Sequence, residues 1–254
     1  MNITFLGTGT SHGVPVVACQ CRVCQSTDPS DKHLRTSALV RTDEGENILI
    51  DIGPDFRMQM LSQQVTHLEG ILITHAHRDH VAGLDDIRSL NYLQGCSMQV
   101  YGNEVALTTI QRDYRYIFEP HPYPGLPEVD LHVVDNDPFM VASHQVVPIK
   151  ALHKDLPILG YRIGKLAYIT DASFIPPEQI AKLQGVEVLV VNALRKEKHF
   201  SHFCLADALE VVNQVKPREA YLTHVSHEMG LMAEEAPLLP PHVHFALDGL
   251  TVEV

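Results

Sequence analysis

The 254-residue chain contains no tryptophan, and it has no apolar run near the roughly 18 residues that a membrane-spanning helix needs. Basic residues are also scarce, because 19 Lys and Arg stand against 31 Asp and Glu and give a formal net charge of −12. This balance argues against a broad surface for nucleic acid or an anionic membrane, since such surfaces cluster Lys and Arg. A small anionic substrate held by metal ions is compatible with it.

The first residues lack the basic stretch and apolar core of a secretory signal peptide. Only five cysteines occur, and three of them crowd at Cys19, Cys21 and Cys24. Such crowding and an odd total suit a reducing compartment and a metal site better than a disulfide framework. We therefore expect a cytoplasmic protein. Cys96 and Cys204 have no partner at a useful spacing and are predicted to be small buried hydrophobic residues.

The order of apolar patterns indicates an α/β fold. Short β-rich runs, as at residues 3–9 and 186–192, alternate with helical patterns, as at 84–93, 104–118 and 205–215. Alternation of this kind favours packed layers of sheets and helices over an all-β or all-α domain.

We predict one domain over residues 1–254, although the length alone also allows two. Hydrophobic residues make up 45% of the chain, which is enough for a full core. Residues 119–130 hold four prolines and a glycine, so they are predicted to form an irregular excursion that is either a lid or a connection.

A faint internal repeat suggests two halves built on one plan. Residues 71–77 resemble residues 221–227, and residues 49–51 resemble the segment that ends at Asp171. In each place an apolar strand pattern ends in a residue of a metal-ligand type. Ligands converging at strand ends would place a site along a single edge of the sheets.

Histidine is abundant, with sixteen copies, and the densest cluster comprises His75, His77, Asp79 and His80 directly after an apolar strand pattern. A single histidine in a loop is usually just solvated, but four potential ligands within six residues favour a metal site. Residues two apart on an extended turn point the same way, so His75 and His77 can bind one ion. Asp79 and His80, at the entrance of a helical segment, can turn toward a second ion.

This His-x-His-x-Asp-His cluster after a strand resembles the signature of the metallo-β-lactamase superfamily, and the resemblance extends over nearly the whole chain. It implies an α/β fold, a four-layer αββα sandwich with a metal centre at one edge. It also implies the ligand sets: His75, His77 and His153 for one ion, Asp79, His80 and His224 for the other, and Asp171 as a bridge. Asp51 would orient the ligands and, with Asp79, belong to the catalytic group.

Two of these assignments have competitors. His144 competes with His153, but it precedes its strand pattern rather than ending it. Asp171 could instead be a turn residue or cap the helix predicted after Pro176. Its position at the end of an apolar strand favours the ligand role.

The cysteine loop, at about residues 15–30, predicts a second metal site. Three thiolates need a fourth ligand to close a structural zinc site, and His227 is the best candidate. This arrangement resembles the cyclic-phosphate phosphodiesterase branch of the superfamily, which implies that Cys19, Cys21, Cys24 and His227 bind zinc. The alternative is three reduced cysteines packed in a loop.

Phosphodiester hydrolysis needs an acid for the departing alkoxide. His202, before the last large helical pattern, resembles the histidine that the phosphodiesterase branch carries there, and His199 is a neighbouring candidate. The resemblance thus implies a phosphodiesterase with two divalent ions, Mn or Zn, and one structural Zn. It favours a small cyclic or diester phosphate such as a phosphoribosyl 1,2-cyclic phosphate.

Ribonuclease Z resembles the chain more distantly, but the acidic charge argues against a nucleic acid partner. Thioesterase and redox branches of the fold are further alternatives, as is a non-catalytic binding module. Dimers are common among soluble enzymes, and we therefore expect a homodimer.

Overall fold

A computed structural model describes residues 1–120 and 125–254. Within them, fourteen strands form two seven-stranded sheets with the orders β14-β1-β2-β3-β4-β5-β6 and β13-β12-β11-β10-β9-β8-β7. The strands are β1 Asn2–Gly7, β2 Ser37–Arg41, β3 Asn47–Ile50, β4 Gly70–Leu72, β5 Met98–Gly102, β6 Val129–Val133, β7 Phe139–Val141, β8 His144–His153, β9 Leu156–Ile163, β10 Leu166–Ile169, β11 Val188–Asn192, β12 Glu219–Thr223, β13 Val243–Phe245 and β14 Thr251–Glu253.

Helices cover the outer faces of the sheets. The α-helices of the described residues are α1 Phe56–Ser62, α2 Arg78–Val81, α3 Arg88–Gln94, α4 Glu104–Asp113, α5 Arg115–Phe118, α6 Pro177–Lys182, α7 Leu205–Val215 and α8 Met232–Glu235, with 3-10 turns at Pro29–Asp31, Leu84–Ile87 and Ala236–Leu238. No helix in this described part of the chain is long and apolar enough to cross a membrane.

The layers follow from the alternation of side chains along each strand. In β3, Ile48 and Ile50 join the apolar core between the two sheets, whereas Leu49 faces the core under α1, α3 and α4. In β11, Val190 faces the inner core and Leu189 packs toward α6 and α7. Strands buried on both faces need continuous apolar runs. The result is the predicted four-layer αββα sandwich.

The elements predicted from periodicity are largely present, and the differences lie at their ends. The helix at 205–215 has the predicted bounds, but the pattern at 104–118 is divided at Tyr114 into α4 and α5, and that at 84–93 begins with a 3-10 turn. The irregular segment at 119–130 ends in β6, and its residues 121–124 lie outside the described residues.

One prediction about the cysteines is wrong. Cys204 is buried, but Cys96 is exposed. Gly95, with a φ of 67°, ends α3 in a left-handed turn. Cys96 follows it, so its side chain lies on the connection to β5 rather than in the core.

Candidate metal centre and zinc loop

The candidate ligands come from the carboxyl ends of strands in both sheets. Asp51 follows β3, His75 lies just beyond β4, Asp171 lies just beyond β10, and His224 follows β12. Strands β3 and β4 are parallel, as are β10, β11 and β12, so these ends meet along one edge of the sandwich. His153, the last residue of β8, joins them from the second sheet.

Three of these positions have an uncommon backbone. Asp51, Asp171 and His224 have φ values of 62°, 61° and 56°, in the left-handed region that non-glycine residues rarely adopt. Such a conformation is strained for a non-glycine residue and is enriched at functional sites, and five other non-glycine residues among the described ones also have a positive φ.

The side chains meet closely. Asp79, His80, Asp171 and His224 each offer a ligand atom, and these atoms lie within 4.8 Å of one another. His75, the first histidine of the sequence cluster, is also close to Asp171, because its Nε2 lies 3.9 Å from Asp171 Oδ2. The four residues are buried or nearly so.

The other two histidines of the predicted first ligand set lie beside His75. His75 Nε2 lies 3.0 Å from His77 Nδ1, and the ring centroid of His153 is 5.1 Å from that of His77 and 5.6 Å from that of His75. His153 Nδ1 donates to the backbone carbonyl of Asp171 at 2.9 Å. Because a carbonyl oxygen can only accept a hydrogen bond, the proton of the neutral ring lies on Nδ1. The lone pair of Nε2 is then available to a metal ion.

His80 provides the clearest fit to a cation. Its Nδ1 lies 2.6 Å from Asp51 Oδ2, so Nδ1 carries the proton. Its Nε2 is buried and has no hydrogen-bond partner among the described residues, although it lies 3.1 Å from Asp79 Oδ2 and 3.5 Å from Asp171 Oδ1. A buried lone pair beside two carboxylates is costly unless a cation satisfies it. The residues therefore fit a divalent metal ion.

The buried histidines of the site differ in their tendency to carry a proton. Burial lowers the pKa of His224 to about 4 and that of His75 well below its usual value. Burial also opposes protonation of His80, but the carboxylates of Asp79, Asp171 and Asp51 outweigh it and raise the pKa of His80 well above its usual value. Neutral imidazoles and ionised carboxylates are the forms that bind metal, so a cation would take the place of the His80 proton.

His202 lies at the mouth of this cluster. Its Nε2 is 3.2 Å from Asp171 Oδ2, and its ring stacks on that of His224 with centroids 5.1 Å apart. The backbone of the adjacent Phe203 donates to the Ala172 carbonyl at 2.7 Å and anchors the segment. His199 lies behind, with its Nδ1 3.3 Å from His202 Nδ1. The structure brings both histidines to the site, and His202 contacts the ligands.

The cysteine loop forms a separate cluster. The sulfur atoms of Cys19, Cys21 and Cys24 and a ring nitrogen of His227 lie within 4.8 Å of one another, and His227 Nδ1 is 3.3 Å from Cys21 Sγ. The hydrogen bond with His227 lowers the pKa of Cys21 to about 6, whereas burial raises that of Cys24 to about 11. Three sulfurs and one imidazole in a closed group match the ligand set of a structural zinc site.

The competitor of His153 is placed elsewhere. His144 begins β8, and its ring nitrogens lie 2.8 Å from Glu46 and 3.2 Å from Glu44 at the surface. The structure therefore brings His153, and not His144, to the ligand cluster.

Two site residues escaped the sequence analysis. The Thr74 hydroxyl donates to Asp51 Oδ2 at 2.8 Å, and the Thr36 hydroxyl lies 3.1 Å from His224 Nδ1. Thr74 directly precedes His75, so its position was a usable signal. Thr36 is 188 residues from His224 in the chain, and no local pattern marks it.

Comparisons with known proteins agree with this geometry. A family model described as "Beta-lactamase superfamily domain" matches residues 46–225. The crystal structure of "a New Diphosphatase from the PhnP Family" is 35% identical, covers 99% of this chain and 96% of its own, and has a TM-score of 0.92.

Two curated relatives differ in their coverage. The "Ribonuclease Z" of Methanopyrus kandleri is 28% identical over 251 residues, 83% of this chain and 88% of its own. The "Octanoyltransferase" of Porphyromonas gingivalis is 43% identical over 252 residues, which are 98% of this chain but 51% of the relative. The chain thus spans about half the length of that relative.

Proposed function

The chain belongs to the metallo-β-lactamase superfamily, and we propose that it is a metal-dependent hydrolase that cleaves a small cyclic or diester phosphate. The observation that carries the proposal is the position of His202, 3.2 Å from the Asp171 carboxylate at the mouth of the ligand cluster. A histidine there can protonate a leaving alkoxide beside the site where the phosphate binds. A phosphoribosyl 1,2-cyclic phosphate is a substrate of this class.

The proposed site holds two divalent ions, Mn or Zn. His75, His77 and His153 would hold one ion, Asp79, His80 and His224 the other, with Asp171 between them. When bound, such ions lower the pKa of a water molecule to about 7 and neutralise phosphate oxygens. The zinc loop of Cys19, Cys21, Cys24 and His227 would hold a third, structural ion.

The chain's own groups have separate tasks in this proposal. Asp51 accepts from His80 Nδ1 and from the Thr74 hydroxyl, and so fixes the ring that faces the cluster. His202 holds a proton on the ring that faces Asp171 and delivers it to the departing oxygen. Burial of the ligands excludes water from all but the open mouth.

A diphosphate is the second candidate substrate, because the 35% identical solved relative is named a diphosphatase. Cleavage of a phosphoanhydride uses the same attack on phosphorus. Its leaving group is a phosphate, which needs less help from an acid than an alkoxide does. Loss of His202 would therefore slow a diester more than a diphosphate.

Transfer RNA and octanoyl groups are less favoured substrates. The net charge of −12 opposes tRNA binding, although a ribonuclease Z is among the relatives. The octanoyltransferase relative is about twice as long as this chain, so its transferase activity can reside in the other half. The site geometry supports hydrolysis.

A hydrolysis panel on the metal-loaded protein tests the proposal. It would contain bis-p-nitrophenyl phosphate, a ribosyl cyclic phosphate, a dinucleoside diphosphate, p-nitrophenyl phosphate, a tRNA precursor, an octanoyl thioester and a β-lactam. We expect turnover of the diesters and little of the monoester, thioester or lactam. Selective turnover of the thioester or of the tRNA precursor would contradict the proposal.

We also propose that the protein is cytoplasmic and that it forms a homodimer. Thiolates in the zinc loop are best kept in a reducing compartment, and dimers are the commonest soluble assemblies. Light scattering of the purified chain tests the dimer, with a monomeric mass as the contrary result.

A further inference from the structure

A groove leads away from the first ligand pair between α4 and the β8–β9 hairpin. Its inner part, of about 120 Å³, lies against His75 and His77. Its outer part, of about 400 Å³, runs on to Leu152 and Lys150. Asn103, Val105 and Pro157 line both parts, so the two parts adjoin each other beside the candidate ligands His75 and His77.

The inner walls are apolar, and the polar side chains in them already have partners. Asn103 Oδ1 accepts from the Ala106 backbone at 2.8 Å, and Asn103 Nδ2 donates to the Pro157 carbonyl at 3.0 Å. The Thr109 hydroxyl donates to the Val105 carbonyl at 2.9 Å. The Thr109 hydroxyl has donated its only proton, so one N–H of Asn103 is the side-chain donor that these two residues leave for a sugar hydroxyl or a base. A polar ligand would therefore lose most of its hydrogen bonds with water here.

The outer end has a charged boundary. Lys150 Nζ lies 2.6 Å from Asp135 Oδ1, and both side chains reach solvent. Between this ion pair and His77, the walls include Leu152, Leu156 and Ile158. The apolar stretch is thus bounded by the metal centre on one side and by the ion pair on the other. Its volume lies in the range of small-ligand sites.

We infer that this groove binds an unbranched alkyl or acyl chain that is carried by the phosphate substrate. The inference rests on the proposed function, because the phosphate must lie at His75 and His77 for its substituent to enter the groove. The occupant is part of the substrate rather than a protein partner, since the inner part opens on the ligand side chains themselves. A hydrophilic substituent would bind outside the groove.

The test is a series of p-nitrophenyl alkyl phosphates, from methyl to decyl, with the metal-loaded protein. Burial of each methylene contributes about 0.8 kcal/mol, so kcat/KM should rise up to about fourfold per carbon and level off when the chain reaches the ion pair. The competition constants of unreactive alkylphosphonates should fall in parallel. A flat series would overturn the inference.

Val105→Trp fills the shared part of the groove and should reduce the hexyl-to-methyl ratio of kcat/KM by tenfold or more. Val105→Ser, which keeps the backbone and removes apolar surface, should reduce the ratio by a smaller factor. Leu93→Trp is the control, because Leu93 is an exposed residue of α3 outside the groove. If the ratio survives in both Val105 variants, the groove is not the binding site.

Failure of the groove and failure of the proposed function give different results. If the unmodified, metal-loaded protein does not hydrolyse bis-p-nitrophenyl phosphate, the proposed function is wrong. If that diester is turned over well but kcat/KM is the same across the alkyl series, only the inference about the groove is wrong.

Discussion

The Nδ1 atom of His80 lies 2.6 Å from Oδ2 of Asp51, and both residues are fully buried. The same carboxylate accepts from the Thr74 hydroxyl and its other oxygen accepts from the Thr74 backbone, each at 2.8 Å. One aspartate therefore fixes both the tautomer of His80 and the start of the turn that carries His75. These contacts support the proposal that Asp51 orients ligands rather than contacting a cation itself.

Asp51→Asn keeps the shape of the side chain but weakens the acceptor that holds His80. We expect the affinity for the catalytic metals to fall by about 10- to 100-fold, the usual effect of losing such a partner. Competition with a fluorescent chelator measures the affinity directly. Asp86→Asn, on an exposed carboxylate after the same cluster, is the control. Equal affinities in the two variants would contradict the role given to Asp51.

His202→Ala removes the proposed acid. We expect kcat to fall by about 10²- to 10⁴-fold with the metal content unchanged. The loss should be larger for a dialkyl or cyclic ribosyl phosphate than for bis-p-nitrophenyl phosphate, because nitrophenolate leaves without a proton. His199→Ala should cost less, because His199 lies behind His202. An equal loss for good and poor leaving groups would point to a role in metal binding or positioning.

Cys21→Ser removes the thiolate closest to His227. We expect the zinc content of the purified chain to fall by one ion per chain, and the melting temperature to fall by about 5 °C or more. For a domain of this size, about 1 kcal/mol shifts the melting temperature by roughly 2–4 °C. Cys96→Ser is the matched control, because Cys96 is exposed and outside the zinc loop. Unchanged zinc content in Cys21→Ser would rule out the site.

Asp248 gives a prediction for stability against pH. Burial raises its pKa from 3.8 to about 6, although the Thr8 hydroxyl and the Leu34 backbone donate to it. The folded state therefore favours the protonated carboxyl. Its contribution is fully present below pH 3.8 and is lost as the pH rises through about 6, a fall of about 3 kcal/mol in the free energy of unfolding.

Asp248→Asn cannot ionise, so it should remove that part of the pH dependence. Its amide can still accept from the Leu34 backbone. Urea denaturation of both proteins at several values between pH 4 and pH 7 gives the difference, in which the other titrating groups cancel. Parallel curves for the two proteins would contradict the raised pKa.

The parts of the site that the sequence predicted are those whose ligands are close together in the chain or end an apolar strand. His75 to His80 lie on one turn, and Asp171 ends a run of buried residues that only a central strand would contain. The cluster of Cys19, Cys21, Cys24 and His227 was predictable for the same reason, since its three cysteines lie within six residues.

What the sequence did not predict depends on contacts between distant segments. The pairing of Thr36 with His224 arises only when β2 and β12 are brought to the same edge. Strands β7, β13 and β14 have three residues each, which is too short for a periodic signal. The exposure of Cys96 follows from one left-handed glycine.

The left-handed backbone of Asp51, Asp171 and His224 has a consequence for protein engineering. Each such turn costs about 1–3 kcal/mol, and glycine would adopt it without that cost. A screen of variants for heat resistance alone would therefore reward glycine at the three positions where the chemistry needs a carboxylate or an imidazole. Libraries of this chain have to be sorted by turnover and by melting temperature together, or the most robust survivors will be inert.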